Sequence, residues 1–146
     1  MSETIPVFTL HQLESRISHL PLKQQEVIIE IHNIVASISP NADVKLYSDG
    51  VAYYEGWRGG TIKAGLCMVI WSSRHPFMMK FGLGRFLPDP QHLLIGNELA
   101  MRYYPLPEYD QIPWDAVTDL IKAAQQFTPT LENTNISTII RETPPQ

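Results

Sequence analysis

The sequence predicts an α+β domain, a two-layer sandwich in which an antiparallel β-sheet carries helices on one face. Apolar residues recur with a helical period before residue 40 and after residue 113, and with a period of two between them. Because these helical and strand patterns are segregated along the chain, an antiparallel sheet is favoured over alternating parallel units. The strands have one apolar side and one mixed side, which indicates that helices cover one face only.

Three helices are predicted. The first is short, over 10–20, and the second begins after Pro21 and ends at Ser39-Pro40. The last begins at Pro113 and runs to about residue 127. The second helix has the clearest 3.6-residue period, carried by Val27, Ile28, Ile31, Ile34, Val35 and Ile38.

Strands are predicted between the second and third helices. Their expected ranges are 44–48, 51–56, 62–71, 77–84 and 99–105, with turns at Ser48-Asp49-Gly50 and at 56–60. A helical turn is expected at 91–95. These elements form one domain over 1–127, and the Thr/Asn-rich segment 128–146 is expected to be a flexible C-terminal tail.

Composition argues against several classes of function. The net charge is −4 and no Lys/Arg cluster is present, so a nucleic-acid-binding protein is not expected. No apolar run approaches the ~20 residues that span a bilayer, and the N-terminus has no signal-peptide pattern. The single cysteine, Cys67, fits a reduced protein, so we expect a cytoplasmic location without membrane association.

The order of elements resembles that of the YdhG-like family, domain-of-unknown-function family 1801. The similarity covers roughly residues 22–125 and lies in "SPNADVKLY" after an amphipathic helix, then Gly96…Met101-Arg102, then Asp110…Trp114…Leu120-Ile121. It implies a two-layer α/β sandwich of unknown biochemical activity. Some members are described as frataxin-like iron chaperones, so the resemblance also implies iron handling, without a catalytic set.

The candidate metal ligands are Glu26 and Glu30, which lie one helical turn apart on the second helix, with Glu14 of the first helix as a possible third. Two carboxylates on one face form a weak site for a hard ion such as iron, although a solvated helix face has the same pattern. The five histidines are scattered without His-x-His or His-x-x-x-His spacing, so a zinc enzyme is not expected.

No catalytic constellation is evident. Cys67 lies within a strand without a cationic neighbour, which predicts a buried, unreactive thiol. The glycine-rich stretches match neither a phosphate-binding loop nor a dinucleotide fingerprint. We therefore expect a binding or scaffold domain, with an iron-binding chaperone as one alternative and a hydrolase that uses the Arg102 region as another.

Aromatic residues are concentrated in the sheet region. If helices cover one face, several of them should lie on the other, and an uncovered aromatic face commonly binds a second copy of the chain. This favours a homodimer over an apolar ligand or the C-terminal tail as the occupant, while a solvated face with outward hydroxyl groups is the alternative. The residues concerned are Tyr47, Tyr53, Tyr54, Trp57, Trp71, Tyr103 and Tyr104.

Arg102 is the charged residue of the predicted strand 99–105. Alternation places it on one face with Ala100 and Tyr104, opposite the face of Leu99 and Met101. We expect a structural ion pair flanked by tyrosines, and the alternative is an anchor for a small anionic ligand. The candidate partners are Asp43, Asp49 and Glu55, and the candidate flanking rings are Tyr47, Tyr54 and Tyr104.

Overall fold

A computed structural model describes residues 10–58, 62–72 and 74–127, apart from the side chains of 56–58 and 62–65. It confirms the predicted α+β fold, because a five-stranded antiparallel sheet in the order β1-β2-β3-β4-β5 packs with three helices. The helices are α1 (Leu10–Arg16), α2 (Leu22–Ile38) and α3 (Trp114–Gln126). The strands are β1 (Asp43–Tyr47), β2 (Gly50–Arg58), β3 (Ile62–Ile70), β4 (Met78–Phe81) and β5 (Arg102–Pro105), and Gly84–Phe86 and Tyr109–Gln111 form 3-10 turns.

The β1–β2 hairpin is tighter than the sequence predicts. Tyr47 pairs with Gly50, so only Ser48 and Asp49 form the turn and Gly50 belongs to β2. A Cβ atom at Gly50 would lie 2.7 Å from the Val69 carbonyl oxygen of β3. Glycine is required here because β3 approaches the backbone too closely for any side chain.

A β-bulge interrupts the pairing of β2 with β3. Tyr53 pairs with Cys67 but Tyr54 pairs with Gly65, which leaves Leu66 as the extra residue. Leu66 and Cys67 are consecutive, yet both belong to the buried core. The bulge therefore lets two adjacent side chains point towards the helices.

The helices pack on one face of the sheet, which we call the covered face. Helix α3 contacts β3, α2 contacts α3, and α1 contacts α2. The covered face buries Val51, Tyr53, Val69, Met79, Phe81 and Tyr104 against Val27, Ile28, Ile31 and Val35 of α2 and Val117, Leu120 and Ile121 of α3. Each fully buried aliphatic side chain contributes about 1.5–3 kcal/mol, so this layer supplies most of the driving force for folding.

The opposite side of the sheet, the open face, keeps more solvent contact. Register places Lys45, Tyr47, Ala52, Tyr54, Met68, Ile70, Met78, Lys80 and Tyr103 on it. Ala52 is buried among its neighbours, while Lys45 and Tyr47 are exposed and the others are half-buried. Asp43, which pairs with Tyr54, also lies there, so the open face is a mixed surface of aromatic, aliphatic and charged residues.

The expectation that several aromatic residues lie on the uncovered face is met by Tyr47, Tyr54 and Tyr103, but not by all of them. Tyr53, Trp71 and Tyr104 belong to the buried core, not to an uncovered face. Alternation shows which residues share a face, but both faces of this sheet carry aromatic rings, so it does not show which face the helices cover. The Trp57 side chain and the predicted tail 128–146 lie outside the described residues.

Two segments near Arg102 also differ from the prediction. Strand β5 begins only at Arg102, because residues 98–100 bend and Ala100 accepts a hydrogen bond from the Arg85 N–H (2.9 Å). The predicted helical turn at 91–95 is absent, since Ile95 forms an isolated β-bridge with Tyr103. Within the described ranges, no helix has both the length and the apolar character needed to cross a bilayer.

Candidate functional site

A groove on the outer side of α2 combines apolar and acidic side chains. We call it the acidic groove; its volume is about 590 Å³ and its lining residues are Leu22, Gln25, Glu26, Ile29, Glu30 and Tyr109. The α2 residues recur at intervals of three or four positions and therefore form one stripe beside the buried stripe. Leu22 is 75% exposed, which leaves a large apolar side chain at one end of the groove.

Tyr109 forms the wall opposite α2. It begins the 3-10 turn Tyr109–Gln111, and its backbone carbonyl accepts a hydrogen bond from Trp114 Nε1 (3.1 Å). The rings of Tyr109 and Trp114 lie 5.1 Å apart between centroids with a tilt of 50°. These contacts to the start of α3 fix the position of the Tyr109 ring beside the carboxylates of α2.

Negative charge converges on Tyr109. Burial raises the pKa of its hydroxyl group, and the charge of Glu30, a hydrogen bond to Glu30, and the charges of Glu26 and Asp110 raise it further. A phenol next to carboxylates stays protonated and donates to them. The groove therefore presents carboxylate oxygens and an aromatic ring beside apolar surface.

The structure places Glu26 and Glu30 together, as the helical spacing predicts, but adds no third ligand. Among the described residues, no group of three or more His, Cys, Asp or Glu side chains is placed to hold a metal ion. Glu30 lies in the same groove as Tyr109 and contributes to the raised pKa of its hydroxyl group. Two carboxylates supply fewer oxygen ligands than the six to eight that a hard ion such as Ca²⁺ takes.

Arg102 is half-buried and bonded to backbone. Its guanidinium group donates to the carbonyl oxygens of Glu98 (2.6 Å) and Met101 (2.7 Å). A Cβ atom at Gly84 would lie 2.6 Å from Arg102 Cβ, so the stem of the arginine packs closely on that turn. These contacts give Arg102 a structural role in holding the segment before β5.

The predicted partners of Arg102 lie elsewhere. Asp43 is on β1, at the opposite edge of the sheet from β5. Asp49 is in the β1–β2 turn, and Glu55 accepts a hydrogen bond from the Ser39 hydroxyl group. The structure therefore does not assemble the ion pair that the sequence suggests, because carbonyl oxygens of the adjacent bend take the place of a carboxylate.

The predicted tyrosines are divided between the two faces. Tyr104 shares the covered face with Arg102, because Met79 pairs with Tyr104 and Phe81 pairs with Arg102. Tyr47 and Tyr54 lie on the open face, where burial and then the neighbouring Tyr47 raise the pKa of Tyr54. They do not flank Arg102.

The core contains a polar group that the sequence did not single out. His32 Nδ1 lies 2.9 Å from the Tyr53 hydroxyl oxygen, and both side chains are fully buried. Burial raises the pKa of the Tyr53 phenol well above its ordinary value, and the Cys67 thiol on the paired strand raises it further. The spacing of His32 from Ile28 and Val35 already places it on the buried stripe of α2.

The sequence correctly predicts that Cys67 is buried. This burial raises its pKa to about 12. A thiol of this kind carries almost no thiolate at neutral pH, so it is a poor nucleophile.

No family model, curated protein or solved structure matched this chain.

Proposed function

We propose that this chain is a cytoplasmic binding or scaffold domain, similar to the YdhG-like family, whose acidic groove binds a small organic cation with an apolar body. The observation that carries the proposal is the meeting of Glu26 and Glu30 with the Tyr109 ring beside exposed apolar surface. The two-layer sandwich is the architecture that the family resemblance implies. Binding rather than catalysis also fits the buried Cys67 thiol.

The chemistry of the groove suits an ammonium group. A cation gains from the negative potential of two carboxylates and from the face of an aromatic ring, and both gains grow where water is partly excluded. The aliphatic part of the ligand would lie against Leu22 and Ile29. An uncharged ligand would gain only the apolar contact, and an anion would be repelled.

The test is a series of probes that share one body and differ in charge. Binding of hexyltrimethylammonium, hexanol and hexanoate is followed by the shifts of backbone amide resonances. We expect the ammonium to shift the amides of α2 and of Tyr109, and we expect a Glu26→Gln/Glu30→Gln double variant to bind it about tenfold more weakly, a loss of about 1.4 kcal/mol.

The control is Glu14→Gln, which removes a carboxylate from the exposed surface of α1 and should leave binding unchanged. Equal binding of hexanoate and the ammonium would contradict the proposal. Saturable binding of Fe²⁺ that the double variant loses, without binding of the ammonium, would favour the iron-chaperone alternative.

Self-association through the open face is a second proposal. Tyr47 is 40% exposed, and Tyr54, Met68 and Ile70 form half-buried surface near it. A pair of such faces would bury aromatic and aliphatic area in the manner of a homodimer. Light scattering on the wild type and on a Tyr47→Glu variant tests it: a dimer that becomes a monomer supports self-association, and a wild-type monomer contradicts it.

A further inference from the structure

Strand β1 is an edge of the sheet. Among the described strands it pairs with β2 alone, and no described backbone group hydrogen-bonds to residues 43–47 from the other side. An edge strand offers a row of N–H and C=O groups that another extended chain can pair with.

The direction of these groups follows from the hairpin. The Trp71 N–H donates to the Asp49 carbonyl oxygen (2.9 Å), so Asp49 and Trp71 form a hydrogen-bonded pair. Because such pairs alternate along an antiparallel ladder, the odd-numbered residues at the start of β2 bond to β3 and the even-numbered residues bond to β1. The even-numbered residues of β2 pair with the odd-numbered residues of β1. Val44 and Leu46 therefore direct their N–H and C=O groups outwards, away from the sheet.

A groove lies along this edge on the helix side. Its volume is about 540 Å³, and its lining residues are His11, Gln12, Ser15 and Arg16 of α1 with Val44 and Leu46 of β1. The same two β1 residues thus supply both outward backbone groups and an apolar floor, while α1 supplies polar groups and a cation. We call it the edge groove.

We propose that β1 accepts an extended segment of a partner protein as a sixth strand. The partner's backbone would pair with Val44 and Leu46, and alternate side chains would enter the edge groove. Apolar side chains would pack beside those of Val44 and Leu46, and an acidic one would meet Arg16. Charge complementarity therefore selects a segment whose inward side chains include apolar residues and a carboxylate. This site is separate from the acidic groove and does not depend on it.

The first measurement is hydrogen exchange of the free full-length chain. The amides of Val44 and Leu46 should exchange faster than those of Lys45 and Tyr47, which bond to β2. Protection of Val44 and Leu46 at every protein concentration would mean that this chain covers its own edge. Protection only at high concentration would mean that a second copy does. Either result overturns the proposal.

The second measurement is a titration with the capped peptide Thr-Val-Thr-Glu-Thr-Val-Thr, whose Val and Glu side chains share one face. It should shift the β1 and α1 amides and slow exchange at Val44 and Leu46. A peptide with Lys at the centre should bind about two- to fivefold more weakly, as expected for an exposed ion pair. Absence of any β1 shift at millimolar peptide overturns the proposal.

Matched variants separate backbone pairing from charge. Val44→Pro removes an outward N–H that β2 does not use, and should abolish peptide binding while the domain stays folded. Val44→Thr keeps the N–H and a similar volume, and should bind nearly as the wild type does.

Arg16→Glu should reverse the preference between the Glu and Lys peptides, whereas Lys122→Glu, at an exposed position of α3, should not. An unchanged preference in Arg16→Glu overturns the assigned charge contact.

Discussion

The covered and open faces of the sheet contain similar residues in different environments. Tyr53 and Tyr54 are neighbours in the sequence, as are Met78 and Met79, yet within each pair one side chain is far more buried than the other. Tyr53 and Met79 are fully buried under the helices, and Tyr54 and Met78 are half-buried on the open face. Strand parity, more than residue type, therefore decides whether a side chain supports the core or remains available for contact.

The largest expected difference between the faces lies within β4. Met79→Ala should lower the free energy of unfolding by about 2–5 kcal/mol, because it removes a fully buried side chain and leaves a cavity. Met78→Ala, one position earlier, should lower it by less than about 1 kcal/mol. Urea unfolding of the two variants measures both changes. Similar losses in the two would contradict the assignment of Met78 to a partly solvated face.

A smaller effect is expected from the polar pair on the covered face. Tyr53→Phe removes the hydroxyl group next to His32 Nδ1 while preserving the ring, and should cost about 1–3 kcal/mol. Tyr104→Phe is the matched control, since it makes the same change to a second buried tyrosine of the same face. We expect unfolding experiments to find Tyr104→Phe much less destabilising. Equal losses would show that the His32 contact contributes little beyond general packing.

The sequence predicts the covered face well where one periodic pattern decides the outcome. The stripe Val27, Ile28, Ile31 and Val35 of α2 is buried as its spacing indicates, because a helix can bury only one stripe. The sheet is harder, since β2 carries aromatic residues on both faces. Its burial pattern becomes clear only when the register with β3 and the packing of the helices are known.

The candidate sites show the same limit. The spacing of Glu26 and Glu30 reveals their common face, but Tyr109 joins them only through the tertiary fold, so local pattern could not find the groove. Alternation correctly groups Arg102 with Tyr104, but the expectation that this pair lies on the uncovered face is wrong, because both share the face of the buried Met79 and Phe81. Its contacts with the Glu98 and Met101 carbonyl groups depend on the bend before β5, which no local motif signals.

The last expected effect is a pH dependence, absent at neutral pH, that arises on the covered face. Burial raises the pKa of Cys67 from 9.0 to about 12, so the thiol ionises in the unfolded chain at a lower pH than in the folded one. Its contribution to stability is complete below about pH 9 and is lost as the pH rises towards 12, because ionisation favours the unfolded state. The urea midpoint should therefore fall over this range. The urea midpoint of the Cys67→Ala variant should differ from that of the wild type at pH 7 but should fall less as the pH rises. The part of the fall that the Tyr53 phenol causes should remain in both proteins. Parallel curves for the two proteins would show that water reaches Cys67, and the bulge of β2–β3 would then not seal the covered face.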